Sequence, residues 1–156
     1  MRIGAKDVLE KVLEDYAEVF VDICNFAMCD GKEIFKPKDV EKAQTISMYK
    51  VRGQVHSQDR DKANYLNGNA PVHLAFVGME NQSWIDKQMT LRTLGLDAAE
   101  YRAQYHNEII YPVITFVLNF SDKIWDSGLN LSEVVTFPED KGEYLKPFFN
   151  DWKLHV

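Results

Sequence analysis

Apolar side chains recur at intervals of three and four along the first stretch of the chain: Val8, Val12, Tyr16, Val19, Phe20, Ile23 and Ala27. That spacing predicts a helix over Ala5–Cys29 with one buried stripe, ended by Asp30-Gly31. Beside the stripe, Glu14, Glu18 and Asp22 form an acidic ridge at four-residue spacing, the pattern of a solvated helix face. Asp22 stands between Val21 and Ile23, at the margin of the buried stripe, where a carboxylate calls for a cation or a donor. Further on, a short extended piece at Glu33–Phe35 leads through Pro37 to a strand over Thr45–Val51, rich in β-branched and aromatic residues. Asn67-Gly68-Asn69 is a turn signal between Ala63–Leu66 and the apolar run from Val72, so a hairpin is expected there. Ser83 is placed to cap a second helix, from about Ile85 to His106, with Met89, Leu91, Leu94, Ala98, Tyr101 and Tyr105 inward. Tyr111–Phe120 is apolar on both faces, which predicts a central strand, and Phe148–Val156 closes the chain with alternating aromatic character. Helix, strands, hairpin, helix and strand in this order predict an α/β fold, a mixed β-sheet flanked by helices in a single domain.

Within that order, the run Val72–Ser83 is the most informative. In a strand, side chains alternate between faces, so Val72, Leu74, Phe76, Gly78, Glu80 and Gln82 share one side. Glu80 and Gln82 therefore point the same way at the end of a buried strand. A strand that simply reaches solvent there accounts for them; so does a metal-binding E-x-Q, because an unpaired polar group out of water costs roughly 1–3 kcal/mol.

Composition narrows the classes. The chain has 156 residues, 46% of them hydrophobic, enough for one domain with its own core. A formal net charge of −6 argues against coating nucleic acid by bulk electrostatics, yet it leaves room for a nuclease whose acidic site works through bound cations. No apolar signal-peptide core follows Met1, and the most apolar run, Ile109–Phe120, is too short for a membrane helix and contains Pro112. A cytoplasmic protein without membrane contact is expected. Cys24 and Cys29 match neither a redox pair nor a zinc spacing and are expected as reduced, packed thiols. His56, His73, His106 and His155 are scattered without a ligand pair, and there is no phosphate-cradling glycine loop. Trp84, next to the E-x-Q, is a candidate stacking surface.

Asp61, Glu80 and Gln82 spell D-(x18)-E-x-Q across a hairpin followed by a helix. This resembles the PD-(D/E)xK nuclease superfamily. More narrowly, F-V-D-I-C-N (20–25), R-D (60–61), G-M-E-N-Q (78–82), M-T-L-R (89–92), D-A-A-E-Y-R (97–102) and Y-P-V-I-T (111–115) resemble the recombination-promoting nuclease / putative transposase family over nearly all of the chain. The resemblance implies a restriction-endonuclease-like core and, since family members are usually longer, an N-terminal catalytic domain or a truncated copy.

The resemblance implies further that Asp61 and Glu80 hold Mg²⁺, with Mn²⁺ as a substitute, and that the backbone carbonyl of Asn81 is a third ligand. Gln82 then stands where most of the superfamily has Lys and places the attacking water by hydrogen bonds, while Asp22 supplements the site. Asp59, of the same parity as Asp61, is the reserve candidate. The activity implied is that of a metal-dependent DNA endonuclease linked to recombination or transposition. The alternative is a catalytically impaired nuclease-fold module that binds DNA or a partner, because Gln carries no charge with which to acidify water. A basic rim of Lys62, Lys87, Arg92 and Arg102 is expected around the acids in either case. DNA and RNA are not separated by these residues, and the oligomeric state is open, a homo-oligomer included. A two-residue turn at Asn67-Gly68 sets Asp61 near Leu74, whereas a longer loop over Asn67–His73 brings it to Glu80.

Overall fold

The computed structural model describes residues 15–68 and 73–156. Helix α1 (Ala17–Cys29) is followed by β1 (Val40–Lys42), β2 (Ile46–Val51), β3 (Gln54–Asp59), β4 (Lys62–Asn67) and β5 (His73–Gln82). Helix α2 (Met89–Ala103), β6 (Val113–Asn119) and a single turn of helix, α3 (Gly142–Leu145), complete the elements. Strands β1, β4, β5 and β6 form one mixed sheet in that order, antiparallel except for the parallel β5–β6 pair, and β2–β3 form a separate hairpin. The fold is α/β, as the alternation of patterns predicts.

Alternate residues of β5 sort the two sides of the sheet. Ala75, Val77 and Met79 pack with Phe20 and Cys24 of α1, and with Leu66 and Phe116. Phe76 lies with Ala63 and Val113 on the other side, where Val117 packs on Met89 of α2 and on Leu154. Helix α1 ends as its sequence requires: Asp30 and Gly31 take the left-handed conformation, with φ of 52° and 75°. The portion of the predicted helix before Asp15, with Val8, Val12 and Glu14, lies outside the described residues. Glu18 and Asp22 are exposed, as a solvated ridge would be.

Three expectations change. Strand β5, not β6, is central: β6 is last in the sheet order, and its outer side is met by a parallel bridge from Phe116 to His155. Both faces of β6 are covered nonetheless, which is why it reads as an interior strand. Second, a hairpin forms at Arg52-Gly53, both with positive φ, joining Val51 to Gln54. Its second strand, Gln54–Asp59, is mostly exposed and polar on both faces, so no alternation marks it. Third, the apolar pattern misplaces much of the buried face of α2. Met89 is buried as expected and Leu94 half-buried, but Leu91, Ala98, Tyr101 and Tyr105 are exposed, while Thr90, Thr93, Asp97, Glu100 and Gln104 are buried. Those five positions recur every three or four residues and form a polar stripe against the sheet.

Candidate active site

The register of β4 on β5 decides the site. Asn67 pairs with His73 and Leu66 with Ala75, with an irregularity between Leu66 and Asn67, and the ladder runs on to Lys62 opposite Met79. This is the longer-loop register, and it puts Asp61 across from Glu80. The backbone N–H of Asp61 donates to Glu80 Oε1 (3.2 Å), and the N–H of Asn81 donates to Asp61 Oδ2 (3.0 Å). A strand residue directs its N–H and C=O to the same neighbour, so the carbonyl of Asn81 faces the Asp61 side as well.

Glu80 is fully buried on the α2 side of the sheet. Arg92, at the start of α2, brings Nη2 to 2.7 Å from Glu80 Oε2, a charge contact without hydrogen-bond alignment. Burial pushes the Glu80 carboxyl up to about 7, with Arg92 pulling it down and Asp61 pushing it further up. Two residues on, Gln82 is also buried and shares the Glu80 side of the strand, and its Oε1 has no hydrogen-bond partner. Asn81 points its side chain to the other side, where both amide atoms are buried without a partner.

The structure thus brings together Asp61, Glu80, Gln82 and the backbone of Asn81. Asp22 does not join them. It is exposed on α1, in a groove with Ile23, Phe116 and Leu118, and among the described residues no group of three or more His, Cys, Asp or Glu side chains is placed to hold a metal ion. Asp59 is exposed on the separate β2–β3 hairpin, opposite Ile46. The expected basic rim is only partly assembled. Arg92 lies on Glu80 and Lys87 is exposed just before α2, but Lys62 is paired with Asp15 and Arg102 sits over the ring of Tyr49, 5.3 Å from its centroid.

Comparison with protein-family models, with curated proteins and with solved structures gives no significant match.

Beneath the acids lies a buried polar network for which the hydrophobic pattern gives no warning. Arg60, adjacent to Asp61, is 3% exposed, with its guanidinium 4.9 Å from the centroid of Phe76. It donates to Ser47 Oγ (3.1 Å) and to Asp97 Oδ1 (3.3 Å). Thr115 Oγ1 donates to the same Asp97 oxygen (2.5 Å), and Ser47 Oγ donates to Glu100 Oε2 (2.6 Å). Desolvation raises the Asp97 carboxyl, and the Thr115 and Arg60 donors hold it down. Gly78 makes room for this: a Cβ there would lie 2.7 Å from Arg60 Nε and 2.8 Å from its Cδ. The network ties the β2–β3 hairpin, α2 and β6 to Arg60, in the link between β3 and β4 one residue from Asp61, and so holds the backbone beside the acid. The one signal in the sequence is the helical spacing of Thr90, Thr93, Asp97, Glu100 and Gln104, a stripe hidden by more hydrophobic neighbours.

Proposed function

We propose that the chain is a metal-dependent phosphodiesterase of the PD-(D/E)xK type acting on DNA, with Asp61, Glu80 and the Asn81 carbonyl as metal ligands and Gln82 as the positioning residue for water. The observation that carries this reading is the convergence of Asp61 and Glu80 through the Asp61–Glu80 and Asn81–Asp61 hydrogen bonds, with Gln82 on the same strand face. The residues fit a hard divalent cation, two carboxylates and a carbonyl at one strand end, with the buried Glu80 Oε2 now facing the Arg92 guanidinium that a cation would replace. Mg²⁺ there would ease deprotonation of water and offset charge gathering on phosphate oxygens. Gln82 would orient that water through its amide, and Arg92, its side chain about half exposed, is free to turn from Glu80 toward a phosphate.

A second reading is favoured by two observations. Arg92 already offers Glu80 a positive partner. In addition, Lys50, Arg52 and Arg102 line a cleft of about 640 Å³ together with Tyr49, Tyr105 and His106. Cations interleaved with aromatic rings suit a nucleic-acid-binding module that does not cleave.

Calorimetric titration with Mg²⁺ and Mn²⁺, paired with cleavage of plasmid DNA, tests the proposal. Wild type should bind metal, and Glu80→Ala should abolish it. Gln82→Lys should retain or raise cleavage, and Gln82→Ala should lose most of it, since positioning a nucleophile is worth orders of magnitude. Metal binding unchanged in Glu80→Ala rules the site out. DNA bound but left intact by wild type and both Gln82 variants leaves the binding module standing.

A further inference from the structure

With its polar stripe turned to the sheet, α2 leaves a line of apolar side chains on the outside of the molecule. Leu91, Leu94, Ala98, Tyr101 and Tyr105 follow one another at intervals of three, four, three and four, the spacing of a coiled-coil seam. At about 100° per residue they occupy about 80° of the helix surface. Leu91 and Tyr101 are 45% and 43% exposed, Tyr105 is 76% exposed, Ala98 is exposed and Leu94 half-buried. The helical path is kept past Ala103 as far as Tyr105, whose N–H donates to Arg102 O (3.2 Å).

Both flanks of this seam are fixed in place. On one, the hydroxyl of Tyr101 accepts from the backbone N–H of Val113 (3.1 Å). On the other lies the β2–β3 hairpin: a Cβ on Gly95 would be 3.7 Å from Gln58 Nε2, and Arg102 is drawn aside onto the ring of Tyr49. From Leu91 to Tyr105 the five seam positions carry no charge, so a second apolar helix can close on them without burying an ion. Large and small residues also alternate so that the seam fits itself reversed. Laid antiparallel about the midpoint between Ala98 and Tyr101, a second copy sets its Tyr101 against Ala98 and its Tyr105 against Leu94, layers of similar bulk. A parallel copy in register sets ring against ring at 101 and 105 and leaves a gap at Ala98. Charge favours the antiparallel arrangement too. It brings Glu108, exposed just past the helix, to the first turn of the second copy's α2, which has no acidic residue of its own and follows the exposed Lys87.

We infer that α2 is the interface of a two-fold dimer of this chain, the seam from Leu91 to Tyr105 packed antiparallel on its counterpart. With Ile109 and Ile110, both exposed just beyond it, the seam offers on the order of 500 Å² of apolar surface a side, taking ~150–250 Å² for a whole large side chain. A standard interface buries ~800 Å² a side, so the pair is a weak and reversible one, with a dissociation constant on the order of 10–100 µM. The inference uses none of Asp61, Glu80 and Gln82, and it stands or falls separately from metal-dependent cleavage.

Sedimentation velocity and a ¹H–¹⁵N NMR dilution series on the full chain, run in EDTA so that metal plays no part, test this. From ~5 to ~500 µM the wild type should pass from monomer to dimer and stop at two copies, as a closed two-fold pair must. The amide shifts that follow concentration should gather between Leu91 and Glu108. Ala98→Glu and Tyr105→Glu, both at exposed positions, should each weaken the pair at least tenfold while the circular dichroism spectrum stays that of wild type. Leu94→Glu and Tyr105→Lys should each do the same alone, yet a mixture of the two proteins should pair again, because the antiparallel layer sets those positions together. A chain still monomeric at the top of the range, assembly beyond two copies, or a dimer that both exposed glutamate variants leave intact overturns the inference. So does a monomer whose seam instead binds anionic lipid vesicles, and so does a failure of the folded Leu94→Glu and Tyr105→Lys proteins to pair. Should Leu94→Glu not fold, the dilution series and the two exposed-site variants still decide it.

Discussion

Glu80 sits where a carboxylate harms the fold, and that can be measured. In the unfolded chain its pKa is the ordinary 4.5; in the folded protein burial lifts it to about 7. The folded state thus holds the Glu80 proton more tightly than the unfolded state does. The associated stability is fully present below pH 4.5, drains away as pH rises through about 7, and stays lost above it. At 1.36 kcal/mol per pKa unit, ionising Glu80 costs the folded protein about 3 kcal/mol at pH 8, an upper figure because Arg92 can follow the charge. Glu80→Gln keeps the shape and an oxygen for the Asp61 N–H, and it strands no buried charge because the Arg92 side chain is about half exposed. Urea unfolding should show this variant more stable than wild type by about 1–3 kcal/mol at pH 8, with the difference vanishing near pH 4.5. Urea is preferred to guanidinium, whose salt screens the charges concerned. If the Gln variant is the less stable protein at pH 8, Glu80 is not a strained buried carboxylate and the argument for a cation-seeking site fails with it.

Other outcomes follow from the network below the site. Gly78→Ala should cost about 1–3 kcal/mol by denaturant midpoint, because the new methyl displaces Arg60, and it should weaken any metal binding through Asp61. Arg60→Met should be worse, about 3–5 kcal/mol, since Asp97 and Glu100 are left buried without their cation; the double variant with Asp97→Leu should recover part of the loss. Asp22→Ala should leave Mn²⁺ binding by calorimetry unchanged, since this residue does not join the acidic pair.

The class of fold was legible because it depends on period. Helix α1, its stop at Asp30-Gly31 and the alternation of sides along His73–Gln82 appear as the pattern implies. Parity placed Glu80 and Gln82 on one side of β5, but parity cannot measure a loop, and the arrival of Asp61 depended on the turn between Asn67 and His73. Hydrophobic periodicity misdirected α2. Leu91, Tyr101 and Tyr105 suggest a buried face, yet the side that meets the sheet carries Asp97 and Glu100, whose burial is made tolerable by partners distant in sequence: Arg60, Ser47 and Thr115. A residue's own neighbours do not announce such a partner. The identity of Arg60 as the hub was invisible for the same reason, although the words that contain Arg60, Asp97 and Thr115 were among those carrying the family resemblance.

The outer margin of β6 has a consequence for how the molecule behaves beside copies of itself. A bare strand edge is a template on which another chain can crystallise a continuous sheet. Here Val117 donates its N–H to His155 O (2.8 Å), and the same segment is held from behind, Leu154 N on Leu129 O and Leu131 N on Trp152 O. A foreign strand approaching from that side meets a strap already laced to both the sheet and the loop beyond it. Displacing the strap means undoing several bonds before the first new one can form. The opposite margin, β1, offers only Val40–Lys42, too short a landing for a stable graft. The sheet is thus fenced on both flanks by modest means, and the loops at the ends of its strands, where the acids lie, are left as the natural approach for a visitor.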